Sequence, residues 1–431
     1  VNCRWLSLLC LVSALAWGTS AGAQSLSADQ ILRQFNAVIF QNFSSSADVE
    51  GRTVIGGNLT EGATFALNPT AEAASTFAAL TVYGSVASGN SMNLDAAEGA
   101  TIAGSNAGSF SLNGGGSVFI GGSNTGAFST TGGAANISVV GTNSGQITLS
   151  SGGSVYAGNG NSANVNVNGG SGTVSINGNN TATVTLNNGG TVEVNGNAGD
   201  GSLNGGSLTY TGKKGSWNLN GGATSTKVKS LSLPPPSNTL PSFASTFQAP
   251  MTALSSQLAA LTPGSSVLIS GNTVTLEAKP NARGIAVLDL STSVFTPNAQ
   301  VSVALNGATS FIINLSVAGC SANCSYTIPN SVNFENPTTY ADSVLWNLTD
   351  VSSMSFTNEF GGTVLAPSAS ITNSSPIDGA VVALSFNGTG ELHDYPFTGP
   401  LPTPEPSSLA VLTVALLGTG FLRRRRRTAV G

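Results

Sequence analysis

The chain has 431 residues, of which only 8% are charged, and its 54 glycines stand among abundant Ser, Thr and Asn. Of 14 Lys and Arg residues, six lie in the terminal segments (Arg4 and Arg423 to Arg427), so eight basic residues face 19 acidic ones between them, a net charge near −11. That balance argues against nucleic acid and against anionic lipid as partners. Regular interleaving of Val, Ile and Leu supplies the core that a disordered polar tract lacks.

Residues 1–23 read as a signal peptide. Arg4, the apolar stretch Leu6 to Trp17 and the small-residue site Ala21-Gly22-Ala23 supply its three parts, with cleavage by signal peptidase expected before Gln24. Cys3 and Cys10 leave with it; Leu8-Leu9 lacks the small residue that precedes a lipidated cysteine. The next segment, 24–98, opens on Ser27-Ala-Asp-Gln30, a capping box followed by Ile31, Leu32 and Phe35 at helical spacing, which predicts a short helix.

Segment 99–222 is a repeat. Glycine pairs return at 114, 132, 152, 169, 189, 205 and 221, sixteen to twenty residues apart, five of them after asparagine. Between them lie short alternating stretches such as Ser117-Val-Phe-Ile120, Ile137-Ser-Val139, Val174-Ser-Ile176, Val184-Thr-Leu186 and Val192-Glu-Val194. Period-two alternation sends the aliphatic residues to one face and Ser, Thr or Asn to the other. Strands this short bury their apolar face only by stacking, so a parallel β-solenoid is expected, with glycine at the corners and asparagines free to stack in ladders. Asn-Gly hairpins are the competing arrangement. A calcium-binding glycine repeat is set aside, because Glu193 and Asp200 are the only acids from Gly99 to Gly222.

Segment 223–264 holds a proline break, Pro234-Pro235-Pro236, and then Phe243, Phe247, Met251, Leu254, Leu258 and Leu261 in one helical stripe ending near Pro263-Gly264. A core contact against the solenoid is the simplest use for it. Segment 265–399 resumes strand-like pieces at Val267-Leu-Ile269, Val274-Thr-Leu276, Ile285-Ala-Val287, Val301-Ser-Val303, Phe311-Ile-Ile313, Val344-Leu-Trp346, Thr363-Val-Leu365 and Ala380-Val-Val382. The fold class is therefore mainly β, a parallel solenoid with one or two short amphipathic helices alongside. Cys320 and Cys324, the two cysteines of the exported part, are expected to form a local disulfide in an oxidising compartment, bracing one turn.

Asn36-Ala-Val-Ile-Phe40 and Asp48-Val-Glu-Gly-Arg52 leading to Ile55-Gly-Gly-Asn58 resemble the opening of the choice-of-anchor A domain. Val344-Leu-Trp-Asn347, Gly362-Thr-Val-Leu-Ala-Pro367, Ile377-Asp-Gly-Ala-Val-Val-Ala383, Gly390-Glu-Leu-His393 and Tyr395-Pro-Phe397 resemble its ending. The glycine-asparagine repeat is the departure, longer than the family's pattern. The resemblance implies a bacterial surface protein with an extracellular adhesive domain, and brings no enzymatic activity with it.

Segment 400–431 resembles the PEP-CTERM sorting signal of Gram-negative bacteria: Pro404, Glu405 and Pro406, an apolar run from Ser407 to Leu422 with Gly418 and Gly420, then five arginines. The run is long enough to enter a bilayer, and the arginines hold its end on the cytoplasmic side. The resemblance implies transient anchoring in the inner membrane and removal by an exosortase, releasing the protein to the cell surface or an extracellular matrix. An ordinary anchor does not need Pro-Glu-Pro at its edge.

No catalytic, cofactor-binding or metal residues are assigned. His393 is the only histidine, so any triad or zinc site would have to be built on it; a structural hydrogen bond at a closing rung is the expectation. Gly158-Asn-Gly160 lacks the lysine of a phosphate loop and reads as a corner. The expected role is adhesive or structural, with exopolysaccharide or a collagen-like host or matrix protein as partner. The alternatives are a polysaccharide-acting solenoid enzyme and an ice-binding solenoid, the latter hinted at by Thr181-Ala-Thr183 and Thr183-Val-Thr185.

Overall fold

The computed structural model describes residues 26–402. The signal-peptide site at Ala21 and Ala23 and the sorting segment, with Pro404, Glu405, Pro406, the hydrophobic run and the arginines, lie outside the described residues. Among those described, no helix is long and apolar enough to cross a membrane.

The chain enters its own stack in the middle. Helix α1 (Ala28–Gln34) is closed by its capping box, Ser27 Oγ accepting the Gln30 N–H at 3.2 Å and Gln30 Oε1 accepting the Ser27 N–H at 2.9 Å. It delivers the chain to a first rung at Ala37–Ile39. From there parallel, in-register strands climb through Thr53–Ile55, Leu80–Val82, Ala100–Ile102 and Gly116–Ile120. They continue through Gly153–Ala157 and Gly190–Val194 to Thr224–Lys227, forming sheet A. Sheet B rises beside it from Thr64–Phe65 to Trp217–Asn220. The third side is a column of single bridges from Phe43 and Leu59 through Val86 to Asn180.

Parallel pairing decides between coils and hairpins, and close rung spacing explains the glycines. At Gly153 φ is +123°, and a Cβ there would meet the Ala135 carbonyl of the rung below at 1.9 Å. Inside, the aliphatic residues of the alternation meet: Val174, Ile176, Val184 and Leu186 are all fully buried in one continuous core. Each contributes about 1.5–3 kcal/mol on burial.

After the top rung the chain returns down the outside of sheet A. A π-turn at Ala244–Gln248 leads into helix α2 (Ala249–Ala259), whose Phe247, Met251, Leu254 and Leu258 are buried while Phe243 and Leu261 remain half-buried. The stripe covers Val38, Val54, Ile312, Leu345, Leu365 and Val382. Those residues alternate with inward ones such as Ala37 and Ile39, so sheet A is apolar on both faces where the helix lies.

The lower arm then begins at the far end. Its hairpin, Ser266–Ser270 with Thr273–Glu277, is the one antiparallel pairing among the described strands, turning at Gly271 with φ +59°. Leu268 and Ile269 are 55% and 58% exposed there, so this apolar piece is an edge strand and not a buried rung. Rungs at Ile285–Ser291, Ser310–Ser316, Val344–Asn347 and Thr363–Asn373 stack upward to Val381–Gly388. That last strand pairs with Ala37–Ile39. First and last rungs are therefore neighbours, and the repeat region and both flanking segments share one stack. Cys320 and Cys324 are joined, with their Cα atoms 6.0 Å apart, in the turn before the strand Cys324–Thr327.

Candidate functional site

Three places concentrate polar chemistry. The first is the outer surface of sheet B, where Asn93, Ser111, Ser129, Thr148, Asn166, Thr185, Ser202 and Asn218 stand in register, one per rung. At the usual strand spacing this column is roughly 34 Å long. A second column at the sheet's edge is cross-linked: Thr131 Oγ1 donates to Asn113 Oδ1 at 2.9 Å, and Asn204 Nδ2 to the Asn187 carbonyl at 3.1 Å. Asp200 is the one ionisable residue in the strands of this sheet. The result is a flat, nearly uncharged array of hydroxyls and amides, held by the pleat and by bonds between rungs. Each group both donates and accepts, which suits sugar hydroxyls or peptide groups.

The hinted threonine array does not form. Thr185 registers with Asn166 and Ser202, Thr183 with Asp200, and Thr181 lies at the corner beside the Asn161–Asn180 bridge, so the threonines of these two motifs do not repeat on the neighbouring rungs.

The second place is buried. Asn106, Asn124, Asn143, Asn161 and Asn180 form a ladder in which each Nδ2 donates to the next Oδ1 at 2.7–2.8 Å. Each also donates to the carbonyl two residues on, and Asn180 finishes on the Ala198 carbonyl at 2.9 Å. With its donors used and at most 3% exposure, the ladder is structural. Sequence reasoning expected asparagine ladders without identifying these residues; their spacing of 18 or 19 residues was the available signal.

The third place is the seam between first and last rungs. Asn36 Nδ2 donates to the Gly379 and His393 carbonyls at 3.2 and 2.9 Å, Glu50 accepts the Asp394 N–H at 2.8 Å, and Asp394 accepts the Ala71 N–H at 2.8 Å. Arg52 reaches the Gln34 carbonyl at 2.8 Å and Glu72 at 3.2 Å. Burial, with Asp394 nearby, pushes the Glu72 carboxyl up to about 8 against the pull of Arg52. His393 lies between Asp378 Oδ1, 2.5 Å from Nδ1, and Glu391 Oε2, 2.9 Å from Nε2. Ionised carboxylates only accept, so the ring satisfies both when both nitrogens carry protons. Its pKa is pushed up to about 9, chiefly by the Asp378 bond, against the opposing effect of burial. An imidazolium at neutral pH has no lone pair with which to act as general base. Among the described residues, no group of His, Cys, Asp or Glu is placed to hold a metal.

Residues 144–394, more than half of the chain, match the family model described as "Putative Ice-binding-like adhesive domain", and residues 402–427 match the "PEP-CTERM protein-sorting motif". A search of curated proteins finds no match. Among solved structures, an ice binding protein from an Antarctic Flavobacteriaceae bacterium is 12% identical, covering 86% of this chain and 98% of its own, with a TM-score of 0.21. The tapirin C-terminal domain of Caldicellulosiruptor kristjanssonii is 14% identical over 84% of this chain and 94% of its own, with a TM-score of 0.24. A possible adhesin C-terminal domain from Caldicellulosiruptor kronotskyensis is 12% identical over 88% and 93%, at 0.22. Likenesses at this level of superposition do not bear on function.

Proposed function

The chain belongs to the family of ice-binding-like adhesive domains and is an exported adhesive surface protein with a PEP-CTERM signal, and we propose that it adheres through the outer face of sheet B. The single observation that carries this is the eight-rung column from Asn93 to Asn218, extended, in register and free of charge. Such a face binds by many weak hydroxyl and amide contacts, so its partner is a neutral polymer: exopolysaccharide, or a repetitive matrix protein of collagen type. We take residues 24–399 as the adhesive body and 400–431 as the segment removed by an exosortase. The role is non-enzymatic in this reading, a view supported by His393, whose two ring nitrogens are both engaged by carboxylates. Mixed Ser, Asn and Thr columns do not favour ice as the ligand.

Two experiments test it. Exported protein applied to a glycan array and to collagen should bind a neutral partner with retention that salt does not abolish, and should turn over neither polysaccharide nor ester and peptide substrates. Turnover that vanishes in His393→Ala at unchanged thermal stability would overturn the adhesive reading. For sorting, Glu405→Ala should leave uncleaved protein in the inner-membrane fraction; normal release and size would contradict processing through Pro404, Glu405 and Pro406.

A further inference from the structure

Half of the eight basic residues between the terminal segments, Lys213, Lys214, Lys227 and Lys229, belong to the last two rungs, and from Gly201 to Leu276 the sequence has no acid. Tyr210 registers with Lys227, and the Val228 N–H donates to the Tyr210 carbonyl at 2.9 Å. Lys227 therefore stands over the open end of the inward column Val194–Tyr210, and Lys229, two residues on, reaches the corner where Lys213 and Lys214 leave the rung below, so the two pairs lie on adjacent rungs roughly 5 Å apart along the axis. Lower on this corner the same place is taken by neutral residues: Ser123 Oγ accepts the Thr142 N–H, Asn179 Oδ1 the Asn197 N–H, and Asn197 Oδ1 the Lys213 N–H. All four lysines are exposed, and none of the ion pairs among the described residues involves a lysine. The nearest carboxylate on the rung below, Asp200, accepts the Ser216 N–H at 2.8 Å.

Stacked like charges repel, and among the described residues no ion pair offsets them. We propose that this corner, at the open end of the stack, docks a carboxylate-bearing polysaccharide. A linear polyanion brings charges at intervals along its own axis, which complements two lysine pairs on successive rungs. Lysine is a compact point charge and needs no bidentate geometry, so it suits carboxylates presented by a flexible chain. Nucleic acid fits less well: base stacking uses a succession of aromatic faces, and the top rung has the single Trp217, tied to the rung below by its indole N–H on the Gly199 carbonyl at 2.9 Å. The site is separate from sheet B. It would attach the rod by its tip while the uncharged face stays available.

The test uses exported protein on immobilised polygalacturonate, with neutral dextran and double-stranded DNA as comparison probes. Wild type should be retained on polygalacturonate at low salt and released at high salt. Replacing Lys213, Lys214, Lys227 and Lys229 with Gln should weaken retention roughly tenfold or more, four exposed charge contacts acting together. The double variant Lys213→Gln, Lys214→Gln should fall between, and both should keep the wild-type melting temperature because all four side chains are exposed. Thr148→Gln with Thr185→Gln, neutral changes on sheet B, should not weaken this binding, which separates failure here from failure of the sheet B reading. Unchanged retention in the quadruple variant, or no retention of wild type at low salt, would overturn the proposal, and DNA held as tightly as polygalacturonate would overturn the glycan assignment.

Discussion

One column of inward residues runs the length of the third side and changes chemistry partway. Below Asn106 it is apolar, stepping through Met354, Ile371, Phe386, Phe43, Leu59 and Val86, with the rings of Phe386 and Phe43 stacked at 5.2 Å. From Asn106 to Asn180 it is the amide ladder. The two chemistries go with two kinds of coil. From Ala100 to Val194 the coils are short and even, and a small corner closes them. In the lower arm successive rungs of sheet A differ widely, Ala286 pairing with Phe311 and Phe311 with Val344, and the wider interior is filled by Trp346, Phe334, Phe356 and Phe360. The third side of the same parallel stack is thus held by directional bonds from Asn106 upward and by side-chain volume below it. The ladder is closed at both ends, since Asn106 Oδ1 accepts the Gly108 N–H at 3.2 Å and Asn180 donates to Ala198. It can therefore abut Val86 without leaving an amide group unpaired.

The largest effect expected is Val184→Asp, which puts an unpaired charge in the upper core at a cost of several kcal/mol. Phe43→Ala, in the apolar part of the column, should cost about 3–5 kcal/mol by leaving a cavity. Asn143→Ala should cost about 2–3 kcal/mol, because the Asn124 amide and the Gly145 carbonyl each lose a partner while buried. Denaturant unfolding measures all three; Asn143→Ala at under half a kcal/mol would mean that the ladder only fills space. Thr185→Asp, one residue from Val184 but facing outward, should stay within about 0.5 kcal/mol. Equal destabilisation by Val184→Asp and Thr185→Asp would mean that the rung register is wrong.

The seam joins the two arms, and its stability should depend on pH. His393 has its folded pKa raised from 6.5 to about 9, so the stability it adds is full below 6.5 and lost as pH rises through 9. Glu72, raised from 4.5 to about 8, has the same sign: folding binds a proton, and stability is lost as pH rises through 8. The melting temperature should therefore fall between pH 7 and 9, and His393→Gln should flatten the upper part of that fall. A melting temperature that rises over this interval would contradict the assignment.

Repetition made the upper arm legible. Glycine pairs and alternating Val, Ile and Leu marked the rungs, because a short coil must use the same residue types each time it closes. The lower arm offered strand-like pieces but no period, and nothing local says that Val381–Gly388 lies beside Ala37–Ile39, more than three hundred residues away in sequence. Val267-Leu-Ile269 was legible as a strand, but its place at an exposed edge was not, since Gly271-Asn272 makes the hairpin turn that the glycine pairs elsewhere do not. Summed charge hid the lysine corner: a net negative chain still gathers four cations where two rungs coincide. His393 was legible as the site of a structural hydrogen bond, with Glu391 two residues away on the same face, while its other partner, Asp378, needed the register of Asp378 with His393.

The measurement closest to the central claim compares exported wild-type protein with a Ser129→Glu, Thr148→Glu, Thr185→Glu variant for retention on the neutral partner found by the array, alongside their melting curves. These three residues are consecutive or near-consecutive in the sheet B column, separated only at Asn166. Retention should fall about tenfold or more, the scale of a disrupted interface centre, at a nearly unchanged melting temperature. Retention equal to wild type, with the fold intact, would contradict sheet B as the adhesive surface.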